Sequence, residues 1–287
     1  LDGLSGMSEI NLWNGVFIIR PLLFYTKKQI KNYVINKKIN YFEDSSNFNT
    51  NFERVKTRLY LKCIKKKIWP NISYDLNNFS NTNSNLIKRT DYFFNIWANK
   101  NIIIHEGGAV RVDYESLKNI FEKSYLFSVR IVGKIIQTVG GNEYAPKRKK
   151  TYELMFSLFT KQFNKKSLGN VNVFSSEGYL FFIRENRNLN FEFNIQKNKY
   201  YIFDGRFLVK SALSGKLRKC DNGDLMVIDN KNPFNKYRNW INNTIPYLET
   251  LEGKTIKPHL NIINQNSVVN KEKNECFSLY LFNRILI

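Results

Sequence analysis

The chain has 287 residues, of which 43% are hydrophobic and 15% aromatic. That length allows two domains or one large one, and that composition excludes wholesale disorder because it can supply a core. The formal net charge is +21. A charge of this size attracts polyanions such as nucleic acid. A second reading stays open, because Lys, Asn, Ile, Phe and Tyr all have A/T-rich codons and a biased genome would favour them.

Cysteine and histidine are scarce and scattered. Cys63, Cys220 and Cys276 are odd in number and form no CxxC pair, so neither a disulfide framework nor a zinc site is predicted. His105 and His259 have no ligand-like neighbours, which favours structural roles. No apolar run approaches the roughly 20 residues that span a bilayer, and no signal peptide is visible. We therefore predict no metal site and a cytoplasmic location.

The start of the chain has an α/β pattern. Residues 15–19 predict a short buried strand, which Arg20 and a following proline end. Thr26 and Gln29 have the spacing of a capping box at the start of a helix. The segment 43–47 is a turn, since its side chains readily bond their own backbone.

A second helix is predicted over residues 52–67, ended by Pro70. It has an apolar stripe at helical spacing, formed by Phe52, Val55, Leu59 and Cys63. Beside it lies a basic stripe, formed by Arg54, Arg58, Lys62 and Lys65. This arrangement predicts one face for packing and one for anions or solvent.

The middle of the chain predicts mostly helix. Residues 71–85 are rich in Asn and Ser and are interpreted as a linker or mobile loop. Helices are predicted over 86–100 and 114–139, with a short strand at 109–112 between them. Gly140-Gly141 is a typical helix C-terminal stop.

From about residue 170 the pattern becomes β-rich. The basic run Lys147–Lys150 precedes it and is interpreted as a solvated helix start rather than a binding patch. Short aromatic and β-branched runs separated by turn residues predict strands. These runs are residues 171–174, 179–184, 189–195, 200–203 and 225–228.

Three early segments carry a family resemblance. Gly3–Met7 is similar to the end of an "RGSG..GL.GM" segment, and residues 15–23 are similar to a strand-to-helix "IRPLL" segment. Asp44–Asn47, followed by Arg54 and Arg58, resembles "D.SN......R...R". Together, in this order and spacing, they resemble the bacterial tRNA(Ile)-lysidine synthases.

The second half of the chain extends the resemblance. Arg184–Arg187 and Phe203–Phe207 resemble the "RE.R" and "WDGRF" segments of alphaproteobacterial-type members, and residues 258–260 fit the same group. The resemblance covers most of the chain and leaves the Asn-rich stretch and about the last 25 residues unmatched.

The resemblance implies a fold and an activity. The fold class is α/β: residues 1–70 would be the C-terminal edge of an ATP-pyrophosphatase (adenine nucleotide alpha-hydrolase-like) parallel-sheet domain. Residues 71–150 would be a helical linker domain, and 151–287 a β-rich C-terminal domain in contact with tRNA. The implied activity is an ATP-dependent carbon–nitrogen ligase. It adenylates the wobble cytidine in the CAU anticodon of tRNA(Ile) and attaches L-lysine, with ATP and Mg held by an N-terminal part.

One departure bears on activity. The family's SGGxDS phosphate loop is not in this sequence: Ser5-Gly6-Met7 and Ser214-Gly215-Lys216 lack its second glycine and its aspartate. The family's histidine- and aspartate-rich segment is also missing. We therefore expect this chain to be a fragment, without catalytic activity alone.

Six basic residues are candidates for binding tRNA or phosphate, with Asp44 and Asn47 supporting the motif. The candidates are Arg20, Arg54, Arg58, Lys62, Arg184 and Arg206. Guanidinium groups one helical turn apart can grip two phosphate oxygens.

Each candidate also has a structural interpretation. Arg20 could pair with a carboxylate near the sheet edge, and Arg54 and Arg58 could form a solvated face. The Asp44 turn could act only as a helix cap. The two later arginines could pair with local acids such as Glu185 and Asp204.

Two other functions compete with the ligase. One is a non-catalytic basic RNA-binding module that lacks the ATP site. The other is a tRNA thiolase from the same ATP-pyrophosphatase group, against which the lack of paired catalytic cysteines argues.

Overall fold

The computed structural model describes most of the chain and divides it into two compact units, Leu1–Thr90 and Asp91–Ile287. Strand 225–228, Cys220 and Cys276 lie outside the described residues. No helix in the described part has the length and hydropathy needed to cross a membrane. The described residues are 2–13, 16–160, 165–187, 189, 192–219, 232–263 and 277–282.

The first unit consists of a strand pair and three helices. A 3-10 turn at Ser45–Phe48 lies between the first two helices, and the third helix continues into the second unit. The elements are β1 Ile10–Trp13, β2 Val16–Ile19, α1 Lys27–Asn36, α2 Glu53–Lys67 and α3 Ile72–Asn101.

Strand β2 confirms the predicted strand but not its predicted environment. It pairs antiparallel with β1, with Ile10 opposite Ile19, and the Ile19 side chain is 65% exposed rather than buried. Parallel pairing of this strand is not found among the described residues of the unit. The placement of this segment at the edge of a parallel sheet therefore stays a prediction.

Local hydrogen bonds explain why α1 begins where it does. The Gln29 backbone N–H donates to the Thr26 hydroxyl at 3.2 Å, and the Thr26 N–H donates to Gln29 Oε1 at 2.8 Å. These two bonds satisfy donors that a helix start leaves free, so the predicted capping box is confirmed. Helix α2 also agrees with the prediction within one residue at its start.

The predicted linker at 71–85 is wrong, because these residues form the first half of α3. Ile72, Leu76 and Phe79 follow helical spacing. The polar residues between them use the helix itself as a partner: Asn83, which is buried, donates from Nδ2 to the Phe79 carbonyl at 2.7 Å. Asn and Ser composition alone indicated a loop, whereas spacing indicated the helix.

The second unit contains a five-stranded antiparallel sheet in the order β3-β4-β7-β6-β5. Helices α4, α5 and α6 come between its strands in sequence, and Asp113 caps α4 by accepting from the Ser116 N–H at 2.7 Å. The elements are β3 Ile102–Ile104, β4 Val110–Asp113, α4 Tyr114–Lys123, α5 Tyr125–Gly140, α6 Arg148–Thr160, β5 Lys165–Leu168, β6 Val171–Ser176 and β7 Tyr179–Arg184.

The single helix predicted over 114–139 is wrong at one residue. Ser124 adopts an extended backbone, with φ −157° and ψ 87°, and separates α4 from α5. The predicted glycine stop is confirmed, since Gly141 ends α5 in the left-handed conformation at φ 65°. The run Lys147–Lys150 is exposed at the start of α6, as predicted.

Two small sheets complete the second unit, in the orders β13-β12-β11-β8 and β14-β15-β10-β9. The pair β14–β15 is parallel. This region confirms the β-rich prediction for the described runs. The elements are β8 Phe193–Ile195, β9 Tyr200–Phe203, β10 Phe207–Ser211, β11 Gly215–Lys219, α7 Arg238–Asn242, β12 Pro246–Thr250, β13 Thr255–Ile256, β14 His259–Ile263 and β15 Phe277–Phe282.

The five-stranded sheet separates two hydrophobic cores. On β7, Leu180 and Phe182 face the core shared with the helices, while Phe181 and Ile183 face the core shared with the small sheets. A strand buried on both faces has a continuous apolar sequence, as β7 does. Residues before and after position 150 pack in the same helix-side core. The division of the chain into domains 1–70, 71–150 and 151–287 stays a prediction.

We predict that an isolated peptide of residues 1–70 does not fold cooperatively. In the first unit the buried apolar side chains among the described residues are Val55 and Ile72, whereas Phe42 is 90% exposed and Phe24 and Phe48 are 74% exposed. So small a core cannot offset the conformational entropy of folding. Circular dichroism across a urea series checks this, with the 287-residue chain as control. A sigmoidal transition of the peptide would contradict it.

Candidate anion-binding site

A basic groove of about 640 Å³ lies within the first unit. Helix α2 supplies most of its wall, and the starts of α1 and α3 and the 3-10 turn supply the rest. None of the residues that line it is acidic. The lining residues are Lys27, Asn47, Phe48, Val55, Arg58, Leu59, Leu61, Lys62, Lys65 and Ser73.

The charge of the groove follows from the composition of α2. This helix has one acidic residue, Glu53, and seven basic ones. Arg58, Lys62 and Lys65 follow one another at spacings of four and three, so they share the face that lines the groove. Lys27, the first residue of α1, adds a fourth cation from a different helix. The groove therefore concentrates positive charge suited to phosphate groups.

The Asp44 turn positions one wall of the groove. Asp44 Oδ1 accepts from the Ser46 N–H at 2.8 Å, and Asn47 Nδ2 donates to the Asp44 carbonyl at 3.1 Å. The bond from the Ser46 backbone is the main cause that lowers the pKa of Asp44, with a minor contribution from the charge of Arg54. The carboxylate is thus committed to capping, which is the structural role expected for this turn, while Asn47 also lines the groove.

A second cavity of about 270 Å³ shares Lys27 and Asn47 with the groove. Tyr41 and Phe42 supply aromatic walls, and Asp44 and Glu43 supply carboxylates. Lys31 lies 3.2 Å from Glu43, whose hydrogen bond raises the pKa of that lysine. The mixed charge distinguishes this cavity from the purely basic groove.

The structure brings together some predicted residues and not others. Arg58 and Lys62 share the groove, and Lys65 of the predicted basic stripe joins them. Arg54 is exposed, is not a lining residue, and lies over the Phe52 ring at 5.4 Å. Arg20 donates from Nη1 to the Ser8 carbonyl at 3.0 Å and so ties the two ends of the strand pair together.

Sequence reasoning missed Lys27 and Ser73 as groove residues. The signal for Lys27 was its place directly after the capping residue Thr26, which fixes it at the start of α1. Ser73 lies in the Asn- and Ser-rich stretch 71–85, whose composition indicates a loop, so the sequence does not place it at the start of a helix.

Arg184 and Arg206, in the second unit, are buried side chains of an ion-pair network. The Arg184 guanidinium donates to both oxygens of Asp204, each at 2.9 Å, and Arg206 Nε donates to Asp204 Oδ2 at 2.7 Å. Arg206 also donates to the Thr244 carbonyl. At 5% and 1% exposure, these groups support the alternative of pairing with a local acid rather than contact with phosphate.

Two glycines let this network form. A side chain on Gly141 would place its Cβ 1.9 Å from the Asp204 carbonyl oxygen, and one on Gly205 would place it 2.3 Å from the Gly141 carbonyl oxygen. The end of α5 and the turn before β10 therefore touch backbone to backbone. Burial, the largest effect, lowers the pKa of Arg206 to about 10, so the group stays charged at neutral pH.

The surroundings of His105 account for its role. His105 Nδ1 accepts from the Gly107 N–H at 2.9 Å, and burial lowers its pKa, which fits a structural role. His259 belongs to β14. Among the described residues there is no group of three or more His, Cys, Asp or Glu side chains arranged for a metal ion.

Residues 1–63 match the family described as the PP-loop domain. The strand pair and most of the residues that line the groove lie in this part of the chain. The first unit therefore contains a segment that is similar to the PP-loop domain.

The resemblance to tRNA(Ile)-lysidine synthases is confirmed. The protein of that name from Wigglesworthia glossinidia brevipalpis is 41% identical over 70 residues, which cover 24% of this chain and 18% of the relative. The one from Francisella philomiragia is 41% identical over 76 residues, 26% of this chain and 19% of the relative. The one from Ruegeria pomeroyi is 22% identical over 160 residues, 55% of this chain. In these relatives the chain matches at most 36% of the length.

We predict that Asp204→Asn destabilises the second unit by about 3–5 kcal/mol, because it leaves two buried guanidinium groups without a countercharge. Asparagine keeps the shape and tolerates the left-handed backbone that Asp204 adopts at φ 53°. Urea unfolding measures the change. The control is Glu252→Gln, which removes an ion pair whose side chains are exposed and should change stability by less than about 0.5 kcal/mol. Equal effects of the two variants would contradict a structural network.

We predict that Arg58→Ala weakens tRNA binding roughly tenfold to a hundredfold, the equivalent of one charge-assisted contact, and leaves the melting temperature unchanged. The slope of affinity against salt should flatten by about one unit. Arg58→Lys should recover part of the loss, since an ammonium cannot bind in a bidentate way.

A filter-binding salt series with a tRNA transcript measures both effects. Lys66→Ala is the matched control, because Lys66 is exposed on α2 and is not among the residues that line the groove. Wild-type binding by Arg58→Ala would make the basic stripe a solvated helix face.

Proposed function

We propose that this chain is part of a tRNA(Ile)-lysidine synthase. In this proposal the whole enzyme uses ATP with Mg²⁺ to adenylate the wobble cytidine of the CAU anticodon of tRNA(Ile). The amine of L-lysine then displaces AMP to form lysidine, in the cytoplasm. The observation that carries the proposal is that the PP-loop match, over residues 1–63, includes most of the residues that line the basic groove.

The groove supports a role in holding phosphate rather than in chemistry. Its four cations suit the phosphates of a nucleic acid or a nucleotide. These amines and guanidinium groups do not replace the backbone N–H groups of a phosphate loop. Because the sequence has no SGGxDS segment, we derive no adenylation step from these residues. Their proposed work is to bind and orient the tRNA beside the nucleotide.

The alternative is a non-catalytic RNA-binding module. It is supported by the same net charge of +21. The two differ in one observable: the ligase incorporates lysine into tRNA(Ile), whereas the module binds RNA and does nothing further.

We predict that the 287-residue chain has no measurable ATP affinity, whereas a longer chain carrying an SGGxDS segment ahead of residue 1 binds ATP and incorporates labelled lysine into tRNA(Ile). The reason is that backbone amides of such a loop supply the contacts that compensate a triphosphate. Calorimetric titration and a lysine-incorporation assay measure the two activities. Micromolar affinity in the 287-residue chain would place the nucleotide site elsewhere, and RNA binding without lysine incorporation by the longer chain would support the module.

A further inference from the structure

Helix α6, in the second unit, presents an aromatic stripe that the groove does not involve. Tyr152 and Phe156 lie one turn apart and remain 38% and 47% exposed. Their rings are nearly parallel, at 24° with centroids 6.0 Å apart. Tyr125, which is 52% exposed, meets Tyr152 edge-on at 5.7 Å. The stripe is therefore a set of partly exposed rings that contact one another.

Two further aromatic residues connect the rings to the helix-side core. Phe121 of α4 lies 5.8 Å from Tyr152 and 5.2 Å from Phe159, and Phe121 and Phe159 pack against the helix-side core. Supported rings lose little side-chain entropy when a ligand stacks on them.

The charge beside the stripe indicates what could cover it. Residues 147–156 contain four cations, Lys147 to Lys150, and one acid, Glu153. Lys149 precedes Tyr152 by three residues and so lies on the same face of α6. All four cations are exposed at the helix start, where the helix dipole also favours anions. An apolar protein surface gains nothing from such a run, whereas a nucleic acid uses both the rings and the cations.

We propose that this face of α6 binds an unpaired stretch of nucleic acid, with bases stacked on Tyr152 and Phe156 and phosphates beside Lys149. Aromatic side chains flanked by basic ones are the means by which proteins hold single strands. A duplex keeps its bases stacked internally, so it can use the cations but not the rings. The stripe and the groove on α2 have no residue in common, and the inference shares only its RNA ligand with the proposed function.

The test compares single-stranded and duplex RNA on the 287-residue chain. A fluorescent oligouridine of about 12 nucleotides and a duplex of equal length are titrated by anisotropy. We expect the double variant Tyr152→Leu/Phe156→Leu to weaken oligouridine binding roughly tenfold and duplex binding by less than about twofold. Tyr152→Trp/Phe156→Trp should retain oligouridine affinity, because both positions then keep a ring on which bases stack.

Two controls separate this surface from folding and from the groove. Tyr200→Leu removes another exposed aromatic ring, on β9, and should leave binding unchanged, while Arg58→Ala should weaken both RNAs. Undiminished oligouridine binding by the leucine double variant, or an equal loss for duplex, overturns the proposal. So does a self-association of the chain that the leucine variant abolishes, since the stripe would then be a protein-docking face.

Discussion

The second unit depends on one buried carboxylate. Asp204 lies between the guanidinium groups of Arg184 and Arg206, and these side chains join the end of β7, the β9–β10 turn and the segment before β12. Two buried cations share one anion, so each remaining donor that forms a hydrogen bond lowers the cost of burial and each one left without a partner adds to it. Arg184 Nη1 donates hydrogen bonds to the backbone carbonyls of Asn170 and Glu185. Arg206 Nη1 has no hydrogen-bond partner in the described part of the chain, and the Phe207 ring lies 4.8 Å from its guanidinium carbon.

This network changes the meaning of the motif that contains it. The sequence makes Arg206 a candidate for phosphate contact, because the segment Phe203–Phe207 resembles a family motif. In the structure three residues of that segment hold neighbouring elements together. Asp204 neutralises the charge of the arginines, and Gly205 permits backbone contact with Gly141. Arg206 donates a hydrogen bond to the Thr244 carbonyl. A sequence motif can therefore mark a buried structural network as readily as a binding site.

The sequence predicted well what nearest neighbours determine. The capping box at Thr26 and the glycine stop at Gly141 both follow from spacing within one or two helical turns. The predicted apolar packing face of α2 is wrong, because Phe52, Leu59 and Cys63 are exposed. Composition misled at 71–85, which was predicted as a linker but forms the first half of α3, where Asn83 satisfies its amide on a carbonyl of its own helix. Prediction also failed where a distant partner decides. The burial of Arg206 depends on Thr244, and a groove built from α1, α2 and α3 could not be assembled from one helix pattern.

The order of strands in the five-stranded sheet has a consequence for synthesis on the ribosome. Val110 of β4 pairs with Phe182 of β7, and helices α4, α5 and α6 lie in the chain between these two strands. The apolar faces of those helices therefore emerge well before the central strand that gives them a surface to pack on. Contacts between such distant parts of a chain form slowly. During that interval the apolar residues of these helices that pack against β7 in the folded chain lack that strand as a partner.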